Sequence, residues 1–338
     1  MIGMRSFELR RSLLLWVGLA LVAMLNGCSE KRPEKKVYRV GVLAGLSFVA
    51  DITDGFKAGM TELGYIEGQD IHYRVQQTDF DITAYKRILK EFVADKVDLI
   101  VVFPTEASME AKAATEANGI PVVFTFALIE GMGLVESVRH PGGNITGVRY
   151  PGPDVVLKRF EITRELAPQA RRILVCYQRD YPIVAPQLES LRTAATSAGV
   201  TLIEIPATNA AELEAELKKR STSPESIPDA ILIMVEPLAV TPEAFTALGR
   251  FAAEHNVPMG GALMSLGGYR SIFGVNVDNV KVGKQAAPLA DQIFKGTPAG
   301  AIPVVSAESF FNIDYKAAQA LGLKVPEGLL SRADEIIR

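Results

Sequence analysis

The sequence predicts an α/β fold made of two similar open parallel-sheet lobes, with helices on both faces and a cleft between them. Three observations predict it. Residues 97–126 contain the apolar run Leu99-Ile-Val-Val-Phe103, a helical stretch closed by Asn118-Gly119, and a second apolar run, Val122-Val-Phe-Thr-Phe126. Strand-length run, helix and strand-length run make a βαβ unit. Neither run alternates with polar residues, so both faces are expected to be covered, as in a parallel sheet. The pattern then returns at Asp229–Ser265, with Ala230-Ile-Leu-Ile-Met-Val235, a helix through Ala253 and Val257-Pro-Met-Gly-Gly-Ala-Leu263.

Taken in order, Tyr38–Ala44 reads as the first strand and Asp51–Leu63 as a helix, with Ile52, Phe56, Met60 and Leu63 at helical spacing. Gly64 closes that helix. Ile71–Val75 alternates like a strand, and Ile82–Ala94 is an amphipathic helix. The βαβ unit follows, then a strand at Ile145–Val148. Pro151-Gly-Pro153 is expected to break regular structure and to mark the boundary between halves. The second half repeats the order. Val155–Leu166 is a helix, Arg171–Tyr177 a strand, Pro186–Ala198 a helix, Val200–Ile205 a strand and Ala211–Arg220 a helix. Beyond Ser271–Asn276 come a helix at Val280–Phe294, short apolar runs at Pro303–Val305 and Phe310–Ile313, and helices at Tyr315–Leu321 and Leu329–Arg338.

The chain has 338 residues, 48% hydrophobic and 22% charged, with a net charge of −3. That length favours two domains, and the balance suits sizeable cores rather than disorder. No basic stripe or helix-turn-helix pattern is present, so no nucleic-acid partner is expected. Arg5, Arg10 and Arg11 precede an apolar run from Leu13 to Leu25, the pattern of an export signal. About 20 apolar residues are needed to span a membrane, and this run is shorter. With Cys28 set aside, Cys176 is alone inside an apolar strand pattern, so no internal disulfide is expected and the thiol reads as a small core residue.

In open parallel sheets, ligands bind beyond the carboxyl ends of the strands. Here those ends carry Ser47, Phe48, Phe103, Thr105, Glu106, Thr125 and Phe126 in the first half. In the second half they carry Arg179, Asp180, Tyr181, Glu236 and Ser265. Rings, hydroxyls and charges in that mixture suit capture of a small molecule that is part polar, part apolar. Glu236 or Asp180 is expected to take a cationic group, if the molecule has one. An enzyme finds less support. His72, His140 and His255 lie away from these loops, and Gly-x-Ser-x-Gly, a Gly-Lys-Ser/Thr phosphate loop and Gly-x-Gly-x-x-Gly are all missing. No His, Cys or Asp spacing reads as a metal site, so neither catalytic residues nor cofactors are expected.

Several stretches carry a family resemblance. Glu62-Leu-Gly-Tyr-Ile-Glu-Gly68, Phe92–Val101, Gly119-Ile-Pro-Val-Val-Phe-Thr125 and Arg139-His-Pro-Gly-Gly-Asn-Ile-Thr-Gly-Val148 are among them, as are Ala317–Leu323 and Leu330–Ile336. Over about residues 37–337 the chain resembles the substrate-binding lipoproteins of ABC transporters, of the type that takes up tryptophan and other aromatic amino acids. Leu25-Asn-Gly-Cys28 similarly resembles a lipobox, which implies lipidation of Cys28. The resemblance implies a type 1 periplasmic-binding-protein fold, with residues 37–147 and 276–298 in lobe 1 and residues 148–275 and 299–338 in lobe 2. Residues 1–27 would be the signal peptide and 28–36 a tether. It further implies an exported, membrane-anchored monomer that closes on a solute and delivers it to an ABC permease and its ATPase. Sensing for a membrane signalling partner, without transport, is the alternative. Phe126-Ala-Leu-Ile-Glu-Gly131 replaces the family's usual Asp-Pro-containing segment, Leu46–Ala50 lacks its His-Pro, and Gln178-Arg-Asp180 replaces its Asn-Pro. These departures all fall in the loops expected to meet ligand.

Overall fold

The computed structural model describes residues 36–262 and 265–338. The expected export signal, Cys28 and nearly all of the expected tether lie outside the described residues, as do Leu263 and Met264. Residues 38–338 form one compact unit.

In its first part β1 (Tyr38–Ala44), β2 (Ile71–Gln77), β3 (Leu99–Phe103), β4 (Val122–Ala127) and β5 (Ile145–Arg149) alternate with helices. Those helices are α1 (Ile52–Glu62), α2 (Ile82–Ala94) and α3 (Thr105–Thr115). The strands pair in parallel in the order β5-β4-β3-β1-β2. Every residue of β3 is buried, as an apolar run without alternation requires of a strand covered on both faces. Asp81 begins α2 by accepting a hydrogen bond from the Ala84 amide, which satisfies one of the helix's unpaired N–H groups.

The second part contributes α4 (Gly152–Leu166), β6 (Arg172–Gln178), α5 (Val184–Ser197), β7 (Thr201–Ala207) and α6 (Ala210–Arg220). β8 (Ala230–Leu232), α7 (Pro242–His255) and β9 (Met259–Gly260) follow. Its parallel sheet runs β7-β6-β8-β9. The repeated βαβ unit is therefore present, but its first strand is only three residues long. Ile233, Met234 and Glu236 are buried beyond it outside the strand.

Four expectations need correction. Gly152 and Pro153 do not break the chain but open α4, because the first turn of a helix leaves N–H groups unpaired and proline loses nothing there. A short hairpin, β10 (Ser265–Leu266) with β11 (Tyr269–Arg270), was not foreseen. The C-terminal stretch is not one helix. It is α10 (Glu327–Arg332) followed by β15 (Glu335–Ile337), which pairs in parallel with β14 (Ser309–Asp314) beside β12 (Phe273–Val277). The Asp334 carboxylate accepts from the Phe311 amide at 2.6 Å, which holds that edge in place. Finally, β13 (Val305–Ser306) pairs with β5, so residues 305–306 belong to the first sheet rather than with the second half.

The return of the chain to the first half is made by α8 (Asn279–Phe294), which lies against α1. Glycine allows the contact. A Cβ on Gly55 would stand 2.1 Å from the Val280 carbonyl oxygen, and one on Gly283 would stand 2.1 Å from that of Ile52. Asp278 caps α8 through the Lys281 amide at 3.0 Å. The remaining helix, α9 (Tyr315–Ala320), is capped by Asp314.

Candidate functional site

A cavity of about 500 Å³ lies where the carboxyl ends of the two parallel sheets meet. From the first half it is lined by Ser47, Phe48, Thr105, Glu106 and Phe126, and from the second by Tyr181, Ile183, Val235 and Glu236. Tyr150, Arg159, Asn276 and Val277, on the segments that join the halves, complete much of the wall. Seven of the twelve ligand-contacting positions expected from the sequence are brought together here.

How each is held follows from local structure. Thr105 and Glu106 are in the first turn of α3, not in a loop. The Thr105 hydroxyl accepts from the Leu128 amide at 2.9 Å and ties α3 to the end of β4. Between Thr125 and Ala127 the β4–β5 register slips by one residue. A bulge of this kind re-aims the side chain at its apex. Phe126 is at that apex, with φ +49°, in the left-handed region that non-glycine residues rarely adopt. Its ring packs against Tyr150 with centroids 5.1 Å apart. Phe48 is 68% exposed on a short 3-10 turn at the mouth. The Ser47 amide donates to Asp79 at 3.1 Å.

A hydrogen bond spans the cleft. Tyr181, in the loop after β6, donates its hydroxyl to Glu106 Oε1 at 2.5 Å. Burial first, and then the neighbouring Glu106 charge, push the Tyr181 phenol well above its ordinary pKa, so it stays a donor. Glu236 is 1% exposed and is no free anion. Its carboxylate accepts from the amides of Gln178 (2.9 Å), Leu238 (3.0 Å) and Ala239 (2.5 Å). Burial raises its pKa while these three amides pull the other way. Glu236 therefore shapes the loop after β8, and the expectation that it takes a cationic group is not supported by its bonding.

Five expected positions are elsewhere. Phe103 is fully buried on β3, packed in the core with Val42, Val101 and Val123. Thr125 is also fully buried, its hydroxyl 3.5 Å from the Val102 carbonyl. Both lie within the sheet, where alternation turns their side chains into the helix layers. Arg179 turns outward to the Pro206 carbonyl at 2.9 Å and to Glu212. Asp180, with φ +57°, forms an exposed turn. Ser265 is exposed on the unforeseen hairpin.

The most informative lining residue was missed from the sequence. Arg159 on α4 is 0% exposed. Its Nε and Nη2 donate to the Val275 carbonyl at 3.1 and 2.5 Å, and its Nη1 donates to the Ile233 carbonyl at 3.3 Å. The missed signal was spacing: Arg159 is four residues from both Val155 and Thr163, on the buried face of the helix. His72, His140 and His255 do not line the cavity. Among the described residues no group of His, Cys, Asp or Glu is arranged to hold a metal ion, and no helix is long and apolar enough to cross a membrane.

Comparison with known proteins agrees with this geometry. Residues 40–337 match a family model described as ABC transporter substrate binding protein. A tyrosine-binding protein of Clostridioides difficile is 26% identical over 311 residues, which cover 87% of each chain. A solved ABC domain in complex with L-Trp from Streptococcus pneumonia superposes with a TM-score of 0.77 at 23% identity, covering 89% of this chain and all of that one. A conserved domain protein from Vibrio cholerae gives 0.76 at 24% identity, with the same coverage. The family match spans nearly the whole described body and agrees with a cavity between two parallel sheets. The chain belongs to the ABC transporter substrate-binding protein family.

Proposed function

We propose that this protein is an extracytoplasmic receptor that captures a small, ring-bearing organic solute between its two halves and hands it to an ABC permease and its ATPase. The observation that carries the reading is the makeup of the cavity: loops at the strand ends of both sheets line it, and much of its surface is apolar. A solute seated there touches both halves at once, so binding favours a closed arrangement by its differential affinity for that state. Lobe 1 corresponds to the first sheet with α8, and lobe 2 to the second sheet with the β12-β14-β15 edge. Relatives that bind tyrosine and L-Trp support an aromatic or similarly sized solute. The rings of Phe48, Phe126 and Tyr181 offer faces of matching size.

Export and lipidation at Cys28 rest on the Leu25-Asn-Gly-Cys28 pattern. Two or more acyl chains on that residue hold a protein stably at a membrane. In this reading the receptor presents its cleft to the permease as a monomer. The test is a thermal-shift survey of a metabolite panel, followed by small-angle scattering on the hits. Stabilisation together with compaction is expected. Hits that bind without compaction, or a panel without hits, would count against the receptor reading.

A further inference from the structure

Three polar groups at the cavity wall are left without complete partners. The Arg159 guanidinium carries five N–H donors, and three of its bonds go to the carbonyls of Val275 and Ile233. No carboxylate pairs with it among the described residues, and the group beside it is the neutral Tyr150 hydroxyl, whose pKa burial pushes up. Tyr150 is 5% exposed, and its Oη has no hydrogen-bond partner of ordinary geometry among the described residues. Gln187 is 1% exposed; its Nε2 donates to the carbonyls of Ile183 (2.9 Å) and Val235 (3.2 Å), while its Oε1 has no hydrogen-bond partner among the described residues.

Buried polar groups are nearly always satisfied, and a buried cation without an anion is costly, so such a set calls for an explanation. All three residues line the same cavity. Together they present donors from Arg159 and Tyr150 and one acceptor from Gln187. The carboxylates that also line the cavity are engaged already: Glu236 by three amides, Glu106 by Tyr181 and Asp79 by the Ser47 amide. None of them serves as the counter-ion of Arg159.

From these placements we infer that Arg159, Tyr150 and Gln187 form an anion-binding floor that holds the carboxylate of the solute, with the solute's apolar body lying towards Phe126 and Tyr181. The inference deepens the receptor reading and rests on it. A guanidinium fork matches a planar carboxylate, and a charge-assisted bond in a buried site is about twice as strong as a neutral one. A phosphate fits less well. Among the described residues the lining holds a single basic side chain, and the Gln187 oxygen would repel a dianion. That oxygen instead suits a solute that donates from an N–H or O–H next to its carboxylate. Arg159 also braces β12 and the end of β8 through its carbonyl bonds, so the site is built into the joint between the halves.

The test uses the purified full-length protein and paired probes: 3-phenylpropionate, indole-3-propionate and L-tyrosine, each beside its carboxamide. Binding is read by calorimetry and thermal shift. The acids are expected to bind at least tenfold more tightly than their amides. Tyr150→Phe removes only the hydroxyl beside Arg159 and keeps the ring, so its melting temperature is expected to stay close to the parent's while its affinity for the acids falls about tenfold, about 1.4 kcal/mol. Arg159→Lys keeps the charge but not the fork and is expected to lose more affinity. Amides that bind as well as acids, or a Tyr150→Phe protein with unchanged acid preference, would overturn the anion floor and leave the receptor reading standing. Failure of both series to bind would overturn the two together.

Discussion

Tyr181→Phe removes the hydroxyl that joins the two halves across the cleft and leaves the ring in its packing with Val184 and Leu188. A hydrogen bond to a charged acceptor contributes about 1.5–3 kcal/mol net. Glu106 is only half-buried, so the lower figure applies. About 1.5 kcal/mol is roughly a tenfold change in an equilibrium between closed and open arrangements. In the solute-free protein, Tyr181→Phe is therefore expected to enlarge the radius of gyration measured by small-angle scattering. Global unfolding should change little, because the bond joins the halves rather than stabilising either one. Solute affinity should fall by up to tenfold if the bond persists when solute is bound, and Glu106→Gln should act in the same direction more weakly. Scattering profiles identical for parent and Tyr181→Phe, with and without solute, would refute the idea that this bond biases the cleft.

Three further outcomes follow from separate features. Gly283→Ala places a methyl group 2.1 Å from the Ile52 carbonyl oxygen and should destabilise the first half by about 3 kcal/mol, read by denaturant unfolding. Glu212 has its pKa pushed down to about 2, first by the Thr208 amide, then by the Thr208 hydroxyl and Arg179. A carboxylate whose pKa is depressed on folding stabilises above its unfolded value, near 4.5, and loses that contribution as pH falls towards 2. Glu212→Gln should flatten the acid limb of stability in that window, and an unchanged limb would show that the cluster carries no linkage. Cys28→Ser should move the protein from the membrane fraction to the soluble fraction, with intact mass showing the loss of the lipid.

Much of the fold is written in the sequence at the level of periodicity. Helices such as Ile82–Ala94 and strands such as β1 and β3 follow from spacing and apolar runs, and the duplicated βαβ unit announces two parallel sheets. What periodicity cannot supply is pairing at long range. β13 pairs with β5 at a sequence separation of 157, and the Glu335–Ile337 strand exists because β14 offers an edge, which overrides a helical local pattern. The site was legible as a set of strand-end loops, and Ser47, Phe48, Thr105, Glu106, Phe126, Tyr181 and Glu236 do meet there. Phe103 and Thr125 were misplaced because a residue near a strand's end can face the helix layer as readily as the cleft. Arg159 was overlooked because a charge within a helix reads as surface, although its spacing placed it on the apolar face of α4. The bulge at Phe126 falls in the segment that departs from the family pattern, so a sequence difference and a geometric feature coincide there.

The central claim is that the solute is held between the halves. A crystal structure of the purified protein with its co-purified or best-binding solute tests this most directly. Density touching Phe126 or Glu106 on one side and Tyr181 on the other, with a carboxylate at Arg159, is the predicted result. Solute found on an outer surface, or contacting one half only, would contradict the account.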